Sequence, residues 1–348
     1  MFLRNYWYVA AWDREVVRKK LMRRTLLGEP VVLFRREDGT PAALEDRCCH
    51  RHAPLSAGKL LGDNIECPYH GFTYDPTGQC IRIPGQSAIP PAARVRSYPV
   101  VARNRWIWIW MGDPALADPS KIEDFHWLDD PAWAADGELL HLEGNYVLLV
   151  ENLLDLSHLT FIHPTTLGTD AIAETPMKHE RNGSRVKVTR WIMDRPPPPF
   201  FQRAGGLVDN IDRWQIIEFA PPAFVKLDVG GAIAGTGAID GNRSKGITMR
   251  NMNAITPETE TTTHYFWAQA HNFRTNDPTI TRLLVDQVHT AFNEDLAIIK
   301  LQQQNILTRP DAPRIDMNHD AGGVQARRII DQLLAEEQAA TRRPVAAE

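Results

Sequence analysis

Four residues in two short segments have the types and spacing to hold metal. Cys48 and His50 are followed, after a gap of sixteen residues, by Cys67 and His70, a C-x-H…C-x-x-H pattern. Two thiolates and two imidazoles are the ligand set of a [2Fe–2S] centre of the Rieske kind. There the cysteines hold one iron and the histidines the other, and the neutral imidazoles raise the reduction potential. A second frame occupies the same segments: Cys49-x-x-His52 and Cys67-x-x-His70 form a symmetrical pair suited to a tetrahedral structural zinc. The frames share Cys67 and His70 and differ in whether Cys48/His50 or Cys49/His52 complete the set. The run Pro68-Tyr69-His70-Gly71-Phe72 favours the cluster, because its proline and glycine suit a loop whose backbone N–H groups crowd around sulfide.

A second constellation lies further on. Asn152, Asp155 and His158 are spaced by three and share one face if the segment is helical. His163 comes five residues after His158, which on an ideal helix turns it about 140° away. The two imidazoles can meet at one ion only if the helix is distorted between them; otherwise one is a core residue and the other a cap. A later helical pattern has the apolar stripe Leu284, Val288, Ala291, Phe292 and Ile299, and Asp295 falls on that stripe. Glu294 points more nearly outward. An aspartate is seldom buried without a partner or a metal. His158, His163 and Asp295 therefore compose a 2-His-1-carboxylate triad, the ligand set of a non-haem Fe(II) oxygenase with open positions; the alternative for Asp295 is a salt bridge at the stripe's edge.

The elements that must position these groups divide the chain in two. At 348 residues it is long enough for two cores. Residues 1–115 read as β-structure: 30–34 and 41–44 flank an Asp38-Gly39 turn, and Trp106, Trp108 and Trp110 alternate with Ile107 and Ile109 in a strand buried on both faces. After a linker at 114–121, residues 116–348 read as an α+β catalytic domain of antiparallel sheet and helices. It has a helical stretch at 146–163, four strand-like runs (185–193, 214–229, 246–255, 262–269), a long helix at 279–307 and an amphipathic helix after Asp320. The proline run 195–199 reads as a stiff surface loop. The charge is balanced, 39 basic against 43 acidic residues for a net −4, which argues against nucleic-acid binding. The N-terminus has no long apolar run of the signal-peptide kind, no stretch is apolar enough to cross a bilayer, and a cytoplasmic protein is expected. No G-x-G-x-x-G nucleotide motif occurs, so any use of NAD(P)H is expected to need a partner.

Taken together these features resemble the oxygenase components of Rieske non-haem iron oxygenases, within them the vanillate O-demethylase type. Toluenesulfonate methyl-monooxygenases and dicamba O-demethylase are similar over the same stretches. The resemblance rests on Asn5-Tyr-Trp-Tyr-Val-Ala10, the cluster loops, Pro84-Gly-Gln86, Asn152-Leu-Leu-Asp155-Leu-Ser-His158, Asp212-Arg-Trp-Gln215, Thr256-Pro-Glu-Thr259, Asn272-Phe-Arg274, Glu294-Asp295 and Asp320-Ala-Gly-Gly-Val-Gln325. Thr165-Thr-Leu-Gly168 leans toward the sulfonate enzymes. The resemblance implies Cys48, His50, Cys67 and His70 as cluster ligands. It implies His158, His163 and Asp295 on the mononuclear iron, Asp155 as a bridging carboxylate and Asn152 as its polar neighbour. It further implies a homotrimer, with the cluster of one subunit near the iron of the next through His70 and Asp155, and a separate reductase as partner. The expected reaction is O-demethylation of a methoxylated aromatic acid with O₂ and reductase-supplied electrons, releasing formaldehyde; hydroxylation of an aryl methyl group is the alternative, and a plain electron carrier a lesser one. The family commonly has proline where this chain has Cys49. Where dicamba O-demethylase has a substrate-binding histidine, this chain has Asn253, the implied substrate contact.

Overall fold

A computed structural model describes residues 1–163 and 175–342; the Thr165–Gly168 segment lies outside them. The chain forms two compact units, one of Phe2–Ile122 joined by Thr256–Thr259, the other of Glu123–Ile255 and Glu260–Glu348 together with Met1.

The first unit is built from small antiparallel sheets. One places Trp106–Trp110 between Trp7–Trp12 and Val100–Arg103. Every residue of Trp106–Trp110 is buried, and its indoles meet edge-on, Trp12 on Trp106 at 5.4 Å and Trp7 on Trp110 at 5.6 Å. A second sheet is the meander Met22–Leu26, Glu29–Arg35 and Pro41–Glu45. The third runs Lys59–Leu61, Asn64–Glu66, Thr73–Tyr74 and Cys80–Arg82. The Cys67 loop joins its two central strands, and the Cys48 loop precedes its first strand in the chain. Cys48, Cys67, Tyr74 and Cys80 are packed with Val32, Phe34, Leu44, Leu55 and Ile65 in one apolar cluster, so hydrophobic burial fixes the roots of both loops.

The second unit centres on a seven-stranded sheet in the order Ala134–Leu142, Thr263–His271, Gly246–Pro257, Phe224–Ile233, Ile211–Ala220, Arg185–Arg195, Lys178–Asn182. The four expected strand-like runs account for five of these strands, because the run at 214–229 reverses at Pro221-Pro222. The sheet's outer strands, Ala134–Leu142 and Lys178–Asn182, were not among the four. Helix Tyr146–Leu154 is capped by Asn145, whose side chain accepts from the Val147 N–H. Helix Pro278–Thr308 is capped by Asp277 with proline in its first turn. Helix Ala321–Arg342 lies close against its neighbours: a Cβ on Gly322 would sit 2.7 Å from Val188 Cγ2. Arg327 of this helix grips Glu151 at 2.6 Å, tying it to the turn that carries Asn152. The proline run is not wholly a loop, since Pro199–Gly205 is helical. Among the described residues no helix is long and apolar enough to cross a membrane.

Candidate metal centres

The two cysteine loops close in the same way. The Cys48 N–H donates to Ala53 O and the Cys67 N–H to Phe72 O, each five residues on. The Cys48 carbonyl accepts from His52 N and the Cys67 carbonyl from Gly71 N, each four residues on. The fourth residue has positive φ in both, 57° at His52 and 70° at Gly71, as a tight reversal demands. This matched register makes Cys48 and Cys67 equivalent and gives His52 the turn role that Gly71 has in the other loop. It favours Cys48/His50 over Cys49/His52.

The donor chemistry agrees with a two-iron cluster. The thiols of Cys48 and Cys67 interact deep in the apolar cluster, each 2 % exposed, while His50 and His70 are exposed at the loop tips. The two imidazoles lie 4.6 Å apart, and His50 is stacked on Phe72 at 5.0 Å. A [2Fe–2S] unit takes thiolates at one end and imidazoles at the other, as the buried thiols and exposed imidazoles of these loops offer them. Burial raises the Cys67 thiol above its ordinary value, and the neighbouring Cys48 adds to it; a bound cluster stabilises the thiolates instead. Tyr74, which sequence reasoning passed over, sets its hydroxyl 3.1 Å from Cys48 Sγ and 3.2 Å from Cys49 Sγ.

In the second unit the helical stretch 146–163 is broken, and the break lies before His158 rather than between the histidines. Asp155 leaves the helix at φ −98°, ψ 108°, and its carboxylate accepts from the Ser157 N–H at 2.7 Å, an Asx turn that competes with helix. A single helical turn, Leu159–Ile162, follows. His158 and His163 flank that turn at its two ends, with rings 5.3 Å apart. Both Nε2 atoms point at one oxygen, Asp295 Oδ1, at 3.4 Å from His158 and 3.2 Å from His163. The three ligand atoms lie within 4.8 Å of one another, and Asp295 is 3 % exposed. Asn152 donates to the same carboxylate oxygen at 3.0 Å.

The surroundings select tautomers. His163 Nδ1 is 2.6 Å from Glu294 Oε2, so Glu294 points at the site's flank rather than simply outward. Burial disfavours the charged form of His163, but Asp295 and Glu294 outweigh it and raise its pKa. At His158 burial prevails over Asp295 and Asp155, and the pKa falls. A cation bound at Nε2 takes the place of the proton at both. Asp155 Oδ2 is 3.9 Å from His158 Nδ1, which is buried with no hydrogen-bond partner among the described residues. Two imidazoles, one shared carboxylate and an orphaned ring nitrogen fit a divalent cation better than they fit each other. Asn253, fully buried, donates to Val225 O and Asn251 Oδ1 and accepts from the Tyr265 hydroxyl, which itself feels the Asp295 charge.

Comparison with known proteins agrees with both centres. Residues 6–99 match the Rieske [2Fe–2S] domain and residues 142–336 the vanillate O-demethylase oxygenase C-terminal domain. The chain belongs to the family of Rieske monooxygenase oxygenase components. It is 44 % identical to the iron-sulfur subunit of a toluene-4-sulfonate monooxygenase system from Comamonas testosteroni, over 98 % of this chain and 99 % of that one. The vanillate O-demethylase oxygenase subunit of Pseudomonas sp. (strain HR199 / DSM 7063) is 39 % identical over 98 % and 97 %. The crystal structure of dicamba monooxygenase bound to dicamba superposes with TM-score 0.88 at 35 % identity, covering 97 % of this chain and 99 % of that one. As a Rieske oxygenase component, the chain uses a Rieske [2Fe–2S] cluster and a mononuclear non-haem iron.

Two outcomes test the ligand choice. Cys49→Ala is expected to keep the reduced cluster's EPR signal and Cys48→Ala to lose it; the reverse result would restore the other frame. Glu294→Gln is expected to weaken iron binding by about ten- to a hundred-fold, as loss of a carboxylate behind a metal-bound histidine does. Iron titration of the apoprotein reads this directly, and an unchanged affinity would leave Glu294 as a surface group.

Proposed function

We propose that this oxygenase component O-demethylates a methoxylated aromatic acid, holding its cluster on Cys48, His50, Cys67 and His70 and its iron on His158, His163 and Asp295. The convergence of both Nε2 atoms on Asp295 Oδ1 carries the reading. Asp295, His158 and His163 would hold an iron with one carboxylate and two imidazoles, a ligand set that leaves positions open. Bound there, it would supply the reduction of O₂, with electrons arriving through a cluster on Cys48, His50, Cys67 and His70. The balance is ArOCH₃ + O₂ + 2e⁻ + 2H⁺ → ArOH + CH₂O + H₂O. A C–H bond of the methyl becomes C–OH, and the hemiacetal then splits to phenol and formaldehyde. Methyl hydroxylation of an aromatic sulfonate needs the same C–H step, and the 44 % identity to the toluene-4-sulfonate subunit supports it as the second reading.

The protein's share is placement. Asn152 and Glu294 orient the carboxylate and His163. Asp155 stands between the helix and the iron turn, where it faces His158 Nδ1. We infer a homotrimer in which the exposed His70 of one subunit pairs with Asp155 of the next, so that electrons from a separate NAD(P)H-dependent reductase cross between subunits. The family resemblance, the exposure of His70 and the partial exposure of Asp155 support this.

With a competent reductase, methoxybenzoates are expected to release one formaldehyde per O₂ consumed, and methylbenzenesulfonates to give alcohols without formaldehyde. Uncoupled O₂ consumption with both panels would overturn the assignment. Asp155→Asn is expected to retain cluster and iron yet lose turnover by at least about a hundred-fold, the scale of a lost pre-organised group. Full activity in that variant would remove Asp155 from the electron path.

A further inference from the structure

The helix-facing side of the seven-stranded sheet holds two arginines that, among the described residues, form no ion pair; Asp155 acts on Arg190 only from beyond ion-pair distance. Arg190 lies opposite Gln215, and Arg213 opposite Ile192, on adjacent strands; the two guanidiniums are diagonal neighbours on one face. They are 3 % and 8 % exposed. Arg190 donates to Leu156 O at 3.1 Å, within the break that separates Asp155 from His158, so this face adjoins the iron site. Arg213 stands one step further along and lies over the Phe201 ring at 5.3 Å. Among the described residues, neither has a carboxylate within 4 Å, and the Nε of each is buried without a hydrogen-bond partner.

Four other cations of this unit are matched. Arg185 and Lys226 both meet Glu123, and Arg243 and Arg250 both meet Asp228. Burying an uncompensated charge is costly, and two of one sign side by side more so. Burial holds both guanidiniums at about 10, below the ordinary arginine value; at Arg190 the Asp155 carboxylate opposes the fall, whereas at Arg213 the charge of Arg190 adds to it. Such a pair has the chemistry to take an anion. Guanidinium offers a planar pair of donors to an oxyanion with two or more oxygens. Arg190 already spends Nη1 on Leu156 O and lies 3.5 Å from Gln215 Oε1, which leaves Arg213 as the principal donor. Asn253 has both amide hydrogens engaged elsewhere.

We propose that Arg213, with Arg190 beside it, binds the carboxylate or sulfonate of the aromatic substrate and so sets which ring substituent faces His158, His163 and Asp295. This rests on the reading of the enzyme as one acting on aromatic acids. It moves the substrate contact from Asn253 to Arg213.

The test uses the holoenzyme with its reductase and three probes: 4-methoxybenzoate, 4-toluenesulfonate and neutral 4-methylanisole, with KM and kcat read from O₂ consumption and product. Arg213→Gln is expected to raise KM for both anions by about ten- to a hundred-fold, the scale of a lost charged hydrogen bond, with kcat/KM for 4-methylanisole unchanged or higher. Arg213→Lys is expected to recover part of the anion affinity. The thermal midpoint of Arg213→Gln should not fall, because an unpaired buried charge has been removed. Of the two anions, the one with the larger KM change identifies the head group the site is shaped for. Wild-type KM values for both anions in Arg213→Gln would overturn the proposal. A lowered midpoint with intact anion preference would make Arg213 a packing residue. If the wild-type enzyme itself prefers 4-methylanisole to both anions, the aromatic-acid reading fails and this assignment with it; if the wild type prefers the anions and Arg213→Gln does too, only this assignment fails.

Discussion

Helix packing carries Asp295 into the interior, and the second unit is arranged around that fact. The carboxylate lies on the apolar stripe of Pro278–Thr308 between Phe292 and Ile299. A carboxylate so placed must be compensated, because its desolvation costs more than any single hydrogen bond returns. Asn152 supplies one neutral donor, and His158 and His163 supply two ring nitrogens. The histidines reach it only because the chain abandons the helix at Asp155. An unbroken helix from 146 to 163 would turn them about 140° apart. The Asx turn of Asp155, the cap at Asn145 and the clamp of Arg327 on Glu151 are thus conditions for the metal site.

In the first unit the thiols are rooted in a hydrophobic cluster, and the imidazoles are carried outward on tips that repeat one backbone design. Burial at the thiol end excludes water from the sulfurs, and exposure at the imidazole end leaves an exit for the electron. Tyr74 sits under the buried end with its hydroxyl within reach of two sulfurs. Hydrogen bonds to sulfur and solvent exposure are both levers on a cluster's potential, and this loop pair sets them at opposite ends.

Both candidate ligand sets were legible in the sequence because their signals are local: cysteine and histidine spacing in one case, a carboxylate out of place on an apolar stripe in the other. What escaped was set by non-local geometry. Period alone located the helical stretch but not its break, since an Asx turn and one more helical turn have nearly the same composition. Glu294 is about 100° round the helix from Asp295, and only the approach of His163 from the side turns it into that ring's partner. The outer strands Ala134–Leu142 and Lys178–Asn182 are too polar to announce themselves. Arg190 and Arg213 were hidden because only the register between their strands puts them on one face, and only the fold shows that face to be buried.

The polar interior of the second unit falls into two kinds. Asn251, Asn253, Gln269 and Tyr265 bond to one another and to the backbone, a closed network that holds the sheet's shape under the long helix. Asn152 Oδ1, His158 Nδ1, Arg190 Nε and Arg213 Nε are buried among the described residues with nothing to bond. Satisfied networks stabilise, whereas orphaned atoms cost stability unless something from outside completes them. Asn152 Oδ1 and His158 Nδ1 lie in the triad's own surroundings, and polar atoms left open beside a site are the pattern expected where a fold gives up stability for binding. The sheet therefore serves the site in two ways, as a rigid floor where its polar groups are paired and as a receptor where they are not.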